Sequence, residues 1–456
     1  MASDLRTYLS QVGDRITTIS KSVPIDYVGV LTGQARGAVL FENIVEYPGW
    51  KLVDLLFKNR VWQAEVLRTS PHQFLPTLMR KLEEGPREWR VVKDGPVKEQ
   101  KFIGERADLT RLPVPIHSSV DPGPYITGFN ILRDPDTGVC NSMHPRTLVK
   151  GPRHAVCSYI TRHANAILKK YAQRGERVPQ AMVIGHHPAY DLAAAYSGPH
   201  ETFSEMHLVG RLLDEEIEMV PCETIDILVP AHAEIVIEGW VYPDQREDDG
   251  PSPGPLLYCH PWVQKQPRFE ITAITMRQDP IYRNVMVTPF TDHQELPRLF
   301  HEAILYRRLL DMGVDVHDVV FPAFGGAVSC VIQISPKYEG EVTDALLAVM
   351  GAPWLNNKMV VAVDADVDPY DAEEVYWAIA TRVDPSRQIV IVPNARGNPM
   401  DPSTTPVDEG RRRLTGKWAI DATKPVPYKL KDGARALEFF KAMPKHWGEV
   451  SLEDFV

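Results

Sequence analysis

The first hundred residues carry both helical and strand-like patterns of apolar positions. Residues 5–12 and 71–84 space their apolar side chains as a helix does, the second behind an opening proline, whereas residues 27–31 predict a strand. A proline-rich stretch, LTRLPVPIHSSVDPGPY, covers residues 109–125 and interrupts any regular element. We therefore predict an N-terminal α/β domain over residues 1–115.

The middle of the chain is rich in strand patterns. Runs of β-branched and aromatic residues predict strands at 126–132, 139–143, 233–241, 269–275 and 284–287. Helical patterns interrupt them at residues 154–172 and 204–213. This set predicts a β-barrel or sandwich core in a central domain over residues 116–300.

Strand and helix patterns alternate in the last third of the chain. An amphipathic stretch at 293–312 precedes predicted strands at 316–321, 328–334, 358–363 and 388–392 and predicted helices at 340–350 and 372–382. Such alternation is typical of an α/β domain, which we predict over residues 301–456, with a loop-rich tail from residue 394. The expected fold class is α/β (α+β) in three domains.

Composition narrows the classes of function. The 456 residues include 60 acidic and 50 basic side chains, a net charge of −10, and no concentrated Lys/Arg stripe, so we expect no nucleic-acid partner. The start does not resemble a signal peptide, and no apolar run reaches the length of a membrane span. Five widely spaced cysteines without a CxxC pair argue against disulfides and structural zinc. We expect a cytoplasmic protein without a membrane partner.

Polar residues of the middle region are candidate metal ligands. Asn141 ends a predicted hairpin, His163 lies in the next helix, and Glu205 begins another. Amide oxygen, imidazole and carboxylate together suit Mn2+ or Mg2+ better than structural zinc. Two of these residues have an ordinary alternative role. His163 can be a histidine at the edge of the core, and Glu205 can be a carboxylate that stabilises a helix N-terminus. Arg146 can equally be a solvated hairpin charge.

Other polar clusters have weaker claims. The acidic run at residues 247–249 precedes Gly and Pro, as exposed loops do. His186 and His187 are adjacent at a predicted strand end, so their side chains should point to opposite faces and not share a metal. The sequence contains no GxGxxG, GxSxG or P-loop motif.

The order of several segments resembles the UbiD family. The resemblance is carried by YITGFNILRDPDTGVCNSMHPR, ITRHANAILKKY, MVIGHHPAYDLAAA, FSEMHLVGRLL, VPCETIDILVPAHAEIVIEGWV, DDGPSPG, FEITAITMRQDPIY and KWAIDATKP. It runs from about residue 5 to about residue 430, and eight ordered segments are more specific than any one of them.

The resemblance implies a flavin-binding split β-barrel between two α/β domains, and prenylated FMN, Mn2+ and K+ as cofactors. Asn141, His163 and Glu205 correspond to the family's Mn2+ ligands, with the metal bridging to the cofactor phosphate, and Lys417 is similar to a lysine that reaches this phosphate. The implied cofactor contacts are Asn141, Ser142, Arg146, Arg162, His163, Glu205 and Lys417.

The resemblance also implies a catalytic Glu-Arg-Glu arrangement beside the flavin, which serves as an electron sink while CO2 leaves. Arg146 matches the arginine, and Asp249 stands where the first glutamate is expected. Gly254 takes the place of the second glutamate, the usual proton donor. The remaining candidates for proton donor are His260, Tyr258, His144, Asp249 and a water molecule.

The implied function is reversible decarboxylation of an aromatic, heteroaromatic or α,β-unsaturated carboxylic acid. The alternative is a flavin- and metal-binding UbiD-like protein with atypical or no decarboxylase turnover, because Gly254 replaces the second acid. A metal-dependent hydrolase built from the histidines fits the segment order poorly. The implied partners are a small carboxylic acid, a flavin prenyltransferase that supplies the cofactor, and further copies of the chain, as a dimer or hexamer.

Overall fold

The chain forms two compact units. The computed structural model describes residues 3–159, 162–196, 204–254, 256, 259–260, 263–286, 291–326, 328–352, 357–398, 400–407 and 413–424. The first unit comprises Met1–Ile304 with Met400–Pro402, and the second comprises Leu305–Pro399 with Ser403–Val456. The division predicted at residues 115 and 300 into three domains stays a prediction.

The helices of the described residues follow one another with short 3-10 turns between some of them. The α-helices are α1 (Leu5–Val12), α2 (Ile25–Gln34), α3 (Arg60–Val66), α4 (Phe74–Glu83), α5 (Arg162–Arg174), α6 (Ala189–Ala194), α7 (Glu205–Leu213), α8 (Asp292–Asp311), α9 (Glu341–Met350) and α10 (Ala372–Arg382). The 3-10 turns are Gly13–Arg15, Pro71–Gln73, Pro96–Lys98, Gly104–Arg106, Leu109–Arg111 and Ala323–Gly325. None of the helices in these ranges combines the length and the apolar character needed to cross a membrane.

The strands of the first unit form several sheets. They are β1 (Thr17–Ile19), β2 (Val39–Phe41), β3 (Lys51–Asp54), β4 (Arg90–Val91), β5 (Gln100–Ile103), β6 (Tyr125–Thr127), β7 (Phe129–Arg133), β8 (Cys140–Met143), β9 (Arg146–Gly151), β10 (His154–Cys157), β11 (Val178–Ile184), β12 (Glu218–Pro221), β13 (Leu228–Pro230), β14 (Ile235–Asp249), β15 (Ser252–Pro253), β16 (Cys259–His260), β17 (Gln264–Met276) and β18 (Ile281–Arg283). The largest is a curled nine-stranded sheet in the order β6-β9-β10-β17-β14-β11-β7-β8, with β5 paired to β17.

The second unit is a six-stranded sheet with helices. Its strands are β19 (Val316–Val320), β20 (Ser329–Ile334), β21 (Met359–Val363), β22 (Ile389–Arg396), β23 (Thr405–Pro406) and β24 (Arg413–Ala422). Their order is β19-β20-β21-β24-β22, with β23 also paired to β24. Strands β20, β21 and β24 are parallel, and α9 and α10 pack on them, as alternation of strand and helix requires. The mixed α/β fold class is thereby confirmed.

The curled sheet surrounds the main apolar core. Inward-facing residues of β11, β14 and β17, such as Met182, Ile237 and Ile274, are almost fully buried and pack with residues from α5. Alternate positions along these strands face this core, so a single register places the apolar side chains of one face of each strand in it. The long pair β14 and β17 holds the sheet together and places Asp249 at its end.

Four predicted elements are wrong. Residues 27–31 belong to helix α2, because Val28 and Thr32 are buried four residues apart while Tyr27 and Val30 are exposed. In the segment 154–172, which was predicted as one helix, the first residues form strand β10, and helix α5 begins only at Arg162. A strand was predicted at residues 284–287, but strand β18 ends just before them, at Arg283, and residues 284–286 form no strand. Residue 287 lies outside the described residues.

The fourth error concerns the tail. Residues 413–422 were expected to lie in loops, yet they form β24, which lies between β21 and β22 in the sheet. Its neighbours on both sides satisfy its backbone hydrogen bonds, which outweighs the loop-like composition around it.

Candidate functional site

A buried carboxylate connects helix α7 to strand β8. Glu205 is 3% exposed, and its two oxygens accept hydrogen bonds from Asn141 Nδ2 at 2.8 Å and from the Ser142 backbone N–H at 2.7 Å. Ser204 performs the capping role instead, because its hydroxyl accepts from the Met206 N–H. Burial raises the pKa of Glu205 to about 7, against these hydrogen bonds. A cation bound beside this buried acid would favour its ionised form and offset the cost of burying the charge.

The segment from Asn141 to Arg146 contains buried polar atoms that bond to none of the described residues. Besides Asn141 Oδ1, they are Ser142 Oγ, His144 Nδ1, His144 Nε2 and Arg146 Nε. Buried polar groups are normally satisfied, and five such atoms within six residues are unusual. An amide oxygen is a suitable ligand for a hard cation, while a hydroxyl and a guanidinium N–H suit an anionic cofactor. The residues present therefore fit a metal and a phosphate-bearing group.

The other proposed metal ligand approaches from a second helix. His163 lies in the first turn of α5 and is partly exposed. Both α5 and α7 pack against β8, the strand that carries Asn141. No three histidine, cysteine, aspartate or glutamate side chains of the described ranges cluster as in a metal site. The predicted ligand set would not form such a cluster, because it contains only one histidine and one carboxylate, and its third ligand is the amide of Asn141.

Arg146 and Asp249 form a buried ion pair. Arg146 Nη2 lies 3.0 Å from Asp249 Oδ2, and Asp249 is fully buried at the end of β14. The Tyr125 hydroxyl donates to Asp249 Oδ1 at 2.8 Å and accepts from the Gly250 N–H at 3.2 Å. Asp249 is therefore not part of an exposed acidic loop, although Asp248 beside it is exposed and pairs with Lys265.

Strand register explains why these groups meet. Thr127 of β6 lies opposite Arg146 of β9, so Tyr125, two residues earlier, is on the same face as Arg146. The guanidinium carbon of Arg146 lies 5.7 Å from the centre of the Tyr125 ring. Burial raises the pKa of Tyr125, so its hydroxyl stays protonated and remains a donor. No sequence pattern indicated Tyr125 as a site residue.

A second buried network lies beside this pair. His144 Nε2 is 3.0 Å from Asp191 Oδ1, within ion-pair distance. Arg283 Nη2 lies 3.1 Å from Asp191 Oδ2 and 3.0 Å from Asp292 Oδ2. Asp191 comes from α6, which packs against β7 and β8. Asp191 is the single acidic residue in the largely apolar sequence of this helix, AYDLAA. That isolated acid was a signal of a buried polar role, and the sequence analysis did not use it.

The remaining predicted residues are placed as follows. His186 contacts Asp191 at 3.5 Å, while His187 accepts from the Ala189 N–H, so the adjacent histidines have different partners. In the second unit, Lys417 Nζ donates to the Met350 carbonyl at 2.8 Å, and burial lowers its pKa. Tyr258 and the side chains of Arg162 and His260 lie outside the described residues.

Two family models match the chain. The 3-octaprenyl-4-hydroxybenzoate carboxy-lyase Rift-related domain matches residues 90–289, and the C-terminal domain of the same carboxy-lyase matches residues 296–422. These two regions include every candidate residue named above. The match therefore covers the candidate site as well as the fold.

Relatives of the chain agree with these models. The anhydromevalonate phosphate decarboxylase of Methanothermobacter thermautotrophicus is 32% identical over 429 residues, which are 92% of this chain and 97% of the relative. The enzyme of the same name from Methanosarcina mazei is 31% identical over 403 residues, 88% of this chain and 90% of the relative.

Solved structures share the complete fold. The UbiD-class enzyme HmfF from Pelotomaculum thermopropionicum, in complex with FMN, superimposes with a TM-score of 0.87 and 32% identity over 99% of this chain and 100% of that one. An evolved dimeric form of HmfF in complex with prFMN gives a TM-score of 0.85 and 31% identity over 100% of both chains. The chain therefore belongs to the UbiD family and is a carboxy-lyase.

Proposed function

We propose that this enzyme decarboxylates an α,β-unsaturated carboxylic acid, with prenylated FMN and Mn2+ as cofactors. The observation that carries the proposal is the set of unsatisfied buried polar atoms between Asn141 and Arg146, next to the buried carboxylate of Glu205. Related enzymes are named anhydromevalonate phosphate decarboxylases, so anhydromevalonate phosphate is the first substrate to test. Aromatic and heteroaromatic acids are the next classes.

The proposed metal ligands are Asn141, His163 and Glu205. Two neutral donors and one carboxylate leave a divalent cation with a net positive charge, which favours a bridge to a cofactor phosphate. When bound, prenylated FMN supplies the electron sink for the electron pair that remains as CO2 departs. Ser142, Arg146, Arg162 and Lys417 are proposed cofactor contacts, and K+ remains a further proposed ion.

Arg146 and Asp249 are the proposed catalytic residues. An arginine can hold a substrate carboxylate through two parallel N–H donors, a geometry that lysine cannot reproduce. Asp249 fixes the orientation of the Arg146 guanidinium, and Tyr125 in turn fixes Asp249. A guanidinium held by a buried partner needs little reorganisation when it meets the substrate.

The main test compares protein made with and without a flavin prenyltransferase. We expect protein from the co-producing cells to bind a modified flavin, seen in its visible spectrum, to contain Mn2+, and to release CO2 from anhydromevalonate phosphate or another acid of the panel. Protein made without the prenyltransferase should be inactive. Full activity with unmodified FMN would contradict the cofactor assignment, and flavin binding without turnover on any acid would favour a non-catalytic flavin protein.

A substitution separates catalysis from cofactor binding. Arg146→Lys should keep the flavin spectrum and metal content but lower kcat by about a hundredfold or more, because the bidentate geometry is lost. Arg153→Lys is the matched control, since Arg153 is exposed in the same sheet region. Equal rates for the two variants would refute a catalytic role for Arg146.

A further inference from the structure

The reaction needs a proton donor that the expected position does not supply. Replacement of CO2 by hydrogen requires a proton at the substrate carbon, but Gly254 has no side chain to provide it. Asp249 is poorly suited, because both of its carboxylate oxygens already accept hydrogen bonds, from Tyr125 and Arg146. A polar group on another element can supply the proton in its place.

We propose that His144, paired with Asp191, donates this proton; the proposal rests on the decarboxylase function proposed above. His144 lies two residues before Arg146, in the segment that carries the unsatisfied polar atoms. Both ring nitrogens of His144 are buried without a hydrogen-bond partner among the described residues, and Nε2 lies 3.0 Å from Asp191 Oδ1. Nδ1 is thus the ring atom left to meet a substrate.

The surroundings keep Asp191 charged. Burial alone would raise its pKa, but Arg283 and the two neighbouring histidines outweigh burial and hold the pKa well below the usual range. The negative charge of Asp191, 3.0 Å from His144 Nε2, attracts this side of the ring and so limits the orientations that the ring can take.

The charged and titratable groups around His144 come from several elements. His186 from the end of β11 lies 6.5 Å away between ring centres, and it is neutral because burial lowers its pKa to about 4. His293 from α8 lies close enough for the charges of Arg146 and His144 to act on it, and burial lowers its pKa to about 4 as well. Apart from these groups, the Phe129 ring packs edge-on against His144 at 5.9 Å.

The proton-transfer step is balanced. The carbon–carboxylate bond breaks, CO2 leaves without the bonding pair, and that pair forms the new C–H bond with the proton from His144 Nδ1. His144 becomes a neutral imidazole whose Nε2–H faces Asp191. Solvent then returns a proton to Nδ1 before the next cycle.

Asp121 is the competing donor. Burial raises its pKa to about 6, and it lies near enough for Arg146 and Asp249 to influence it. Its Oδ2 accepts from the Ser118 N–H at 2.9 Å. His144 is favoured because a buried, charged partner lies 3.0 Å from its ring, whereas Asp121 is held by backbone N–H groups of a loop.

The test uses the cofactor-loaded enzyme in D2O with anhydromevalonate phosphate as the probe, or with the acid of the panel that the wild type decarboxylates best. His144→Gln should keep the flavin spectrum, lower kcat by about a hundredfold or more, and recover part of the rate when imidazole is added. His154→Gln is the control, because His154 also pairs with a carboxylate, Glu247, but away from the site. Asp121→Asn should leave turnover and deuterium incorporation near wild type.

The outcomes separate this proposal from the proposed function. A wild type that releases CO2 while His144→Gln is equally fast, or slow without any rescue by imidazole, overturns the role of His144 alone. A loss of turnover in Asp121→Asn with the flavin spectrum retained, beside a wild-type rate in His144→Gln, assigns the donor to Asp121. A wild type that releases CO2 from no acid of the panel overturns the proposed function itself.

A spectroscopic measurement covers the case in which His144→Gln does not fold. In cofactor-free protein with isotope-labelled histidine, the ring-nitrogen signals of His144 should change in Asp191→Asn relative to the wild type, because the charged carboxylate beside Nε2 is gone. The solvent isotope effect on kcat should also rise in this variant. Unchanged His144 signals and an unchanged isotope effect overturn the proposal.

Discussion

Three histidines of the first unit owe their charge state to burial. His117, His186 and His187 are almost fully buried, and burial lowers their pKa values to about 4, 4 and 3. Well above pH 6.5 each histidine is neutral in both the folded and the unfolded chain, so none makes the free energy of unfolding depend on pH. As the pH falls below 6.5, the unfolded chain binds protons that the folded chain does not, and stability is lost down to the folded pKa.

His117 provides the test of this acid sensitivity. His117→Gln keeps a side-chain donor for Asn284 Oδ1, which lies 3.0 Å from His117 Nε2, and removes the titrating ring. Between pH 7 and pH 5 the variant should lose about 2 kcal/mol less unfolding free energy than the wild type. Urea unfolding at several pH values measures this difference, and parallel curves would show that His117 is protonated without cost.

Tyr125 is the residue whose hydroxyl holds Asp249 in place. Tyr125→Phe removes a hydrogen bond to a charged group that is worth about 1.5–3 kcal/mol, so Asp249 and Arg146 should become less well oriented. We expect kcat to fall about tenfold or more, with flavin content and KM little changed. The measurement is steady-state decarboxylation. A larger effect on KM than on kcat would mean that Tyr125 contacts the substrate directly.

At the scale of secondary structure, helix α7 is joined to strand β8 through one side chain. Glu205→Gln should lower metal content and flavin occupancy together, because the proposed metal bridges the protein to the cofactor phosphate. Metal analysis and flavin absorbance of the purified variant measure both quantities. Glu215→Gln, a change near the other end of α7, is the control. Wild-type metal and flavin content in Glu205→Gln would leave Glu205 a purely structural acid.

The pairing of β14 with β17 needs a glycine. A Cβ added at Gly239 would lie 2.0 Å from the Glu270 carbonyl oxygen, at the irregularity in this pairing. Gly239→Ala should therefore destabilise the first unit by about 3 kcal/mol or more. Gly151→Ala in β9 is the matched control, because no atom lies within 4 Å of its added Cβ. Equal melting temperatures for the two variants would contradict the close approach.

At the scale of the whole molecule, we predict a homo-oligomer. Large apolar side chains of the second unit are exposed, among them Tyr376 at 72% and Ile391 at 70%. Exposed apolar surface is commonly covered in symmetric assemblies. Light scattering at micromolar concentration should give a mass of at least twice the 51.4 kDa of one chain. A mass of 51.4 kDa would contradict the prediction.

The sequence by itself determined the fold class, the family and most elements with clear periodicity. Helices α1 and α10 have the predicted bounds, because regular apolar spacing and a polar N-cap define a helix locally. Patterns misled where local composition and long-range pairing disagree. β24 was expected to be loop, yet hydrogen bonds to strands distant in sequence make it a strand.

Only the tertiary structure decided which polar residues meet and how they are charged. The sequence indicated Arg146 and Asp249 as partners through family resemblance, whereas Tyr125 gave no local signal of a role in the site and the lone acid Asp191 of helix α6 was overlooked. Their contacts depend on strand register and helix packing across many residues, and their pKa values depend on burial. Neither quantity is encoded in a short stretch of sequence, because both arise from the simultaneous packing of distant segments.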